Sequence, residues 1–153
     1  MSWASSLKVP ATVHFADGAE AAGSLHLQPA VAHHPGPETV MEMLNRDEHF
    51  LVLTFEESGI AFIPKAQVAL IETAAPAVEE EGGRISAAIP LRLEVEMMVT
   101  ARVIEGVVAA ELPPTRARAQ DFLNDGGTFF PLQADATLWA VNRTHVRTVR
   151  PVD

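Results

Sequence analysis

The chain has 153 residues, of which 48% are hydrophobic, and its formal net charge is −9. This length fits one ordinary domain or two very small ones, and the hydrophobic content excludes a disordered chain. The absence of cysteine excludes disulfides, thiolate metal sites and a cysteine nucleophile. The acidic balance argues against nucleic-acid binding, which favours a basic surface. No signal peptide or membrane-length apolar run is evident, so we expect a cytoplasmic protein.

The first part of the chain predicts a short mixed unit. An extended run at 9–15 is followed by Asp17-Gly18, a strong hairpin signal. The next strand passes through Gly23, and a glycine inside a strand is typical of a sharp bend. Pro35-Gly36-Pro37 then precedes a short helix that ends at Asn45. Three more strands are predicted, at 49–55, 60–63 and 68–72.

The second part of the chain predicts the same elements in the same order. Residues 91–99 alternate apolar and charged side chains, as a half-buried strand does. A second strand passes through Gly106, and Pro113-Pro114 precedes a helix that ends at Asn124. Three further strands are predicted, at 129–133, 138–141 and 146–150. We therefore divide the chain into a first repeat at 7–72, a linker at 73–90 and a second repeat at 91–150.

The two parts also align residue by residue. Leu44-Asn45 and Phe50 match Leu123-Asn124 and Phe129 at a constant offset of 79 residues. The strand around Gly23 matches the strand around Gly106 at an offset of 83. The closing segments at 60–68 and 138–146 match at 78. Because these matches keep their order with few gaps, they indicate a tandem duplication of one unit.

The hairpin at Asp17-Gly18, the bent strand at Gly23 and the closing segments at 63–68 and 141–146 resemble the Sm-like and SH3-like small barrels. They are also similar to bacterial proteins with an Asp-Gly hairpin and an Asn-Lys/Arg-x-His closing turn. The resemblance implies a mainly β fold with two short helices, in which each repeat is a closed five-stranded barrel of order β-β-α-β-β-β. It does not carry RNA contacts over, because here a helix occupies the connection that bears them.

The candidate binding residues lie in a relatively basic C-terminal third. Residues 112–153 have a net charge of +1, whereas residues 1–111 have a net charge of −10. The anion- or partner-binding candidates in that third are Arg116, Arg118, Arg143, His145 and Arg147. Arg143 is the best placed of these for an anion, because a guanidinium presents a forked set of donors.

No catalytic or metal site is predicted. His26 and the pair His33-His34 form the one local group of histidines, without a carboxylate at ligand spacing. The chain has no nucleophile elbow, phosphate loop or dinucleotide fingerprint. We therefore expect a non-enzyme with no cofactor.

The resulting hypothesis is a non-catalytic binding or assembly module that contacts a protein partner or itself. A duplicated scaffold without reactive residues supports it. Phe62 and Trp139 fall in the same hairpin of the two repeats and could lie in the core or at an interface, of which we favour the core. The alternative is an anion, nucleotide or RNA sensor that uses the arginines of the second repeat.

Overall fold

A computed structural model gives a mainly β protein. It describes residues 6–57, 59–75, 89–110, 120, 122–124 and 126–152. The elements are β1 (Leu7–Phe15), β2 (Glu20–Leu27), α1 (Val40–Leu44), β3 (Phe50–Phe55), β4 (Gly59–Pro64), β5 (Val68–Ala74), β6 (Ile89–Met97), β7 (Val103–Ala110), β8 (Phe129–Ala134), β9 (Thr137–Asn142) and β10 (Val146–Pro151). Residues 120 and 122–124 are also helical. The predicted strands are confirmed, with ends that differ by a residue or two.

Local turn chemistry explains the hairpins. Gly18 has a φ of +98° in the first turn, and the Ala19 N–H donates to the Asp17 carboxylate at 3.0 Å. In the second hairpin Ala101 takes a φ of +57°, and the Met97 N–H donates to the Arg102 carbonyl at 2.8 Å. A left-handed alanine is costlier than a left-handed glycine, which is why the sequence signal was weaker there.

The described strands form one antiparallel sheet with the order β10-β6-β7-β8-β9-β5-β1-β2-β3-β4. In each half the last strand lies beside the first, and the third and fourth strands lie beyond the second. The closed barrels that we expected are not observed, since the sheet is open and ends at β4 and β10. A 3-10 turn at Lys65–Gln67 carries the chain away from β4, and β5 takes β9 as its second neighbour.

Two glycines allow the second strand of each half to cross the third. A Cβ atom on Gly23 would lie 2.5 Å from the Thr54 carbonyl oxygen, and one on Gly106 would lie 2.8 Å from the Gln133 carbonyl oxygen. Any side chain at these positions would meet backbone atoms. The glycines at the predicted bends therefore mark a close approach between two strands, and the bends themselves stay a prediction.

The hydrophobic core consists of two clusters that exchange residues across the middle of the sheet. The first cluster contains Phe129 and Ala140 from the second half, and the second contains Ala69 and Leu70 from the first half. The two halves are therefore packed against one another. Most of the predicted linker at 73–90 lies outside the described residues, so the domain division stays a prediction.

The described helical segments are all short. In the part of the chain that the structure describes, no helix has the length and apolar content needed to cross a bilayer.

Candidate assembly interface

The halves meet where β5 pairs with β9, which we call the inner junction. The pairs run from Leu70 opposite Val141 to Ala74 opposite Thr137. The Ala75 N–H donates to the Ala136 carbonyl at 2.8 Å, just beyond these pairs. The inner junction therefore joins the last strand of one half to the fourth strand of the other.

A buried asparagine fixes this junction. Asn142 is fully buried, and its amide nitrogen donates to the carbonyls of Lys65 at 3.2 Å and Val68 at 2.9 Å. Its side-chain oxygen accepts from the N–H of Thr144 at 3.0 Å and from the hydroxyl of Thr144 at 2.8 Å. Every polar atom of the side chain thus has a partner, as burial of an amide requires.

A second asparagine extends the contact beyond the strands. The Asn45 amide donates to the Phe129 carbonyl at 3.1 Å, and its oxygen accepts from the Phe129 N–H at 2.8 Å. The side chain thereby replaces a neighbouring strand at the start of β8. Gly127 leaves room for this approach, because a Cβ atom there would lie 2.5 Å from the Asn45 side chain.

Of the predicted binding residues, Arg143 and His145 lie in the 3-10 turn at Arg143–His145. Arg143 donates to the carbonyls of Phe122, Leu123 and Gly127, and its guanidinium lies 5.2 Å from the centre of the Phe130 ring. The His145 Nε2 donates to the Ala66 carbonyl across the inner junction at 2.7 Å. Both side chains hold the fold together in these contacts.

Lys65 is the counterpart of Arg143 in the first half. Its ammonium donates to the carbonyl of Met43, within α1, at 3.4 Å and to that of Arg46, just beyond α1, at 3.1 Å. Burial lowers the pKa of this lysine. In both halves, a cation in the closing turn satisfies carbonyl groups at the end of the preceding helical segment.

Of the remaining predicted arginines, the structure describes Arg147. Arg147 donates to the Met98 carbonyl at 2.7 Å and lies 3.8 Å from the Glu96 carboxylate, over the neighbouring strand. Arg150, the other arginine of β10, lies 3.8 Å from the Glu94 carboxylate. Arg116 and Arg118 lie outside the described residues. The described arginines therefore contact acids and carbonyls along separate parts of the fold.

The two ends of the sheet expose the counterparts of residues that the inner junction buries. Among the described strands, β4 and β10 each have a neighbour on one side only, and we call their other sides the outer edges. Phe62 on β4 is 60% exposed, whereas its counterpart Ala140 on β9 is 1% exposed. Phe50 is 53% exposed, whereas its counterpart Phe129 is 1% exposed. Asn124, the counterpart of Asn45, is also exposed.

A groove of about 570 Å³ lies at the β4 end of the sheet. Met43, Glu48, Phe50 and Phe62 are among its lining residues. In the second half, the corresponding region around Gly127 and Phe129 receives the Asn45 side chain. The groove is therefore the equivalent of a surface that is occupied at the inner junction.

His26 also lines the groove. Its Nδ1 lies 2.7 Å from the Ser6 hydroxyl and its Nε2 lies 3.0 Å from the Thr54 hydroxyl. Burial, followed by the nearby charge of Lys8, lowers its pKa. This histidine is held within the fold, apart from the His33-His34 pair.

The aromatic residues of the paired hairpins differ. Trp139 is buried, packs 5.7 Å from the His14 ring and lies 4.9 Å below the Arg102 guanidinium, so the core prediction is confirmed for it. The core prediction for Phe62 was wrong, because its strand is at the end of the sheet. The sequence did not predict that Asn45 and Asn142 hydrogen-bond to the backbone of the opposite half. The repeated Leu-Asn-x4-Phe pattern carried a signal for the first of them.

No family model, curated protein or solved structure matches this chain.

Proposed function

We propose that this chain is a non-catalytic assembly module, built from two copies of a small Sm-like unit, that associates head to tail with other copies of itself. The observation that carries the proposal is the equivalence between the inner junction and the two outer edges. Strand β10 corresponds to β5 and strand β4 corresponds to β9. The two ends of the sheet therefore carry the counterparts of the two strands that pair at its centre.

The inner junction specifies the register of the contact between molecules. Shifting its pairs by the offset of 78 places Val149 of one molecule opposite Phe62 of the next, and Arg150 opposite Ala61. Ala140 packs into the cluster of the neighbouring half, so Phe62 would pack beside Val149 in the same way. Burial of an exposed aromatic side chain supplies most of the expected free energy.

The helix ends support the same arrangement. Asn124 of one molecule would reach the backbone of Phe50 in the next, as Asn45 reaches Phe129. Phe50 is opposite Pro64 just as Phe129 is opposite Asn142, so the backbone groups of both phenylalanines have the same orientation. The repeated Leu-Asn-x4-Phe pattern thus contains both sides of the contact.

Charge favours unlike ends. The outer edge of β10 carries Arg147 and Arg150, whereas acidic residues flank β3 and β4 at the other end of the sheet. These acidic residues are Asp47, Glu48, Glu56 and Glu57. Arg147 and Arg150 already lie 3.8 Å from Glu96 and Glu94, so the charge of the β10 edge is largely balanced, whereas two β4 ends would bring like charges together. The contact is therefore heterologous, and it gives a ring or an open chain depending on the angle between successive molecules.

Two residue differences between the halves make the outer contact weaker than the inner junction. Backbone N–H groups point to alternate sides along a strand. The Val152 N–H donates to the Arg92 carbonyl on β6, so the backbone of residue 151 faces the outer edge. Pro151 stands there in place of Thr73 and provides no donor. Glu48 stands in place of Gly127, where a Cβ atom is too close to the asparagine. We therefore expect reversible, concentration-dependent association.

Light scattering on a size-exclusion column tests the proposal across a concentration series. We expect the mean mass of the wild type to rise above that of a monomer, and Phe62→Lys to restore the monomer. Val103→Lys is the matched control, because Val103 is a similarly exposed hydrophobic residue away from both outer edges. A wild type that stays monomeric at every concentration, or equal effects of the two variants, would overturn the proposal.

A further inference from the structure

The loop between β2 and α1 brings two histidines and a glutamate together. The His33 Nε2 lies 2.9 Å from Glu42 Oε2, and the His34 Nε2 lies 2.9 Å from Oε1 and 2.8 Å from Oε2. One ligand atom from each residue lies within 4.8 Å of the other two. The sequence did not reveal this trio, because Glu42 is separated from the histidines by eight or nine residues.

The His34 ring is oriented with its Nε2 toward the Glu42 carboxylate. The His34 Nδ1 lies 2.9 Å from the Pro35 carbonyl, which only accepts, so Nδ1 carries a proton. In the neutral ring, Nε2 then presents a lone pair to the Glu42 carboxylate, which also presents lone pairs. A metal ion bound between them would accept a lone pair from each. A backbone carbonyl on the far nitrogen is also the usual way that a metal-binding histidine is oriented.

Glu42 is held in position from the opposite side. Its Oε1 accepts from the Thr39 N–H at 2.9 Å, and its own N–H donates to the Thr39 hydroxyl at 3.1 Å, which forms a capping box at the start of α1. The carboxylate is therefore fixed from the helix side, with Oε2 within 2.9 Å of both histidine Nε2 atoms.

We propose that His33, His34 and Glu42 bind one divalent transition-metal ion of the zinc class. Two imidazoles and one carboxylate suit such an ion better than magnesium or calcium, which prefer oxygen ligands alone. Bonds of about 2.0–2.1 Å at tetrahedral angles place ligand atoms about 3.3 Å apart, so the observed nitrogen–oxygen distances need to widen by about half an ångström. The partial exposure of the trio leaves the fourth position to water.

The bound ion would fasten the loop to the first turn of α1. That helix ends at Asn45, which makes the inner-junction contact with Phe129. The metal site does not depend on self-association, since all three ligands belong to one half of one molecule.

Titration calorimetry with zinc chloride, on the full chain freed of metal by EDTA and dialysis, tests the site. We expect one zinc ion per chain, and at least about tenfold weaker binding in His33→Ala, His34→Ala and Glu42→Gln. Glutamine at position 42 keeps an acceptor for the Thr39 N–H, so this variant removes the ligand charge and preserves the capping box. His49→Ala is the control, because His49 is exposed and lies outside the trio.

A second measurement separates loss of the site from loss of the fold. Zinc should raise the thermal midpoint of the wild type and of His49→Ala, and leave the midpoint of Glu42→Gln unchanged. The proposal is overturned if zinc does not bind the wild type. It is equally overturned if binding is as strong in folded His34→Ala as in the wild type, or if His49→Ala loses as much affinity as the trio variants.

Discussion

The inner junction and the outer edges are built from corresponding strands, yet one is filled and the others are exposed. At the inner junction, Asn142 and Asn45 satisfy backbone groups of the opposite half, and Ala140 packs into the opposite cluster. At the ends of the sheet, the counterparts are more exposed: Phe62 is 60% exposed, and Asn124 is also exposed. The proposed assembly accounts for this difference, because each half would then present two complementary surfaces, of which covalent linkage uses only one pair.

The largest expected effect concerns the strand crossings that both halves share. Gly23→Ala and Gly106→Ala should each lower the free energy of unfolding by about 3 kcal/mol, because the new Cβ atom meets a carbonyl oxygen. Each variant should unfold in one transition, since the clusters exchange residues. Urea denaturation measures both values. Ala22→Ser, an exposed neighbour of Gly23, is the control and should stay within about 0.5 kcal/mol of wild type.

The next effect compares the two closing turns. Asn142→Ala should cost about 2 kcal/mol, because the buried carbonyls of Lys65 and Val68 each lose a donor. Pro64→Ala changes the counterpart position at the β4 end of the sheet, and should cost less than half as much. Denaturation under identical conditions checks the pair. Equal losses would contradict the role given to Asn142.

The two helix-end asparagines should separate folding from assembly. Asn45→Ala removes both hydrogen bonds to Phe129 and should cost about 1.5 kcal/mol in the free energy of unfolding. Asn124→Ala should leave the stability of the monomer within about 0.5 kcal/mol and weaken self-association. Denaturation at low concentration and light scattering at high concentration distinguish the two. An Asn124→Ala variant that associates like wild type would break the proposed equivalence.

The smallest expected effect is a gain in the affinity of self-association. Pro151→Thr restores the donor found at Thr73, and Glu48→Gly restores the close approach found at Gly127. The dissociation constant of the double variant should be about fivefold lower than that of wild type, since one hydrogen bond contributes about 1 kcal/mol. Sedimentation at several concentrations gives the dissociation constant. Weaker association of the double variant would show that the outer contact does not copy the inner one.

The sequence predicted the strands and the Asp17-Gly18 turn, because local patterns determine these features. It did not predict that β5 would pair with β9, since strand neighbours far apart in the chain depend on packing of the whole molecule. The role of Asn142 was hidden for the same reason, because its partners lie more than 70 residues away. Glu42 escaped notice because a capping box, not sequence proximity, places it beside the histidines.

The central claim is the head-to-tail register, and disulfide trapping tests it most directly. The chain has no cysteine, so Ala61→Cys and Arg150→Cys proteins can be prepared separately and mixed. In the proposed register these residues form a non-hydrogen-bonded pair, whose Cα atoms lie about 4.5 Å apart, within the range that a disulfide spans. We predict a one-to-one disulfide dimer that forms faster in the mixture than in either protein alone. The account would be contradicted if Ala61→Cys alone crosslinks as fast as the mixture. It would also be contradicted if a mixture of Ala61→Cys with Arg92→Cys crosslinks as fast as the mixture with Arg150→Cys.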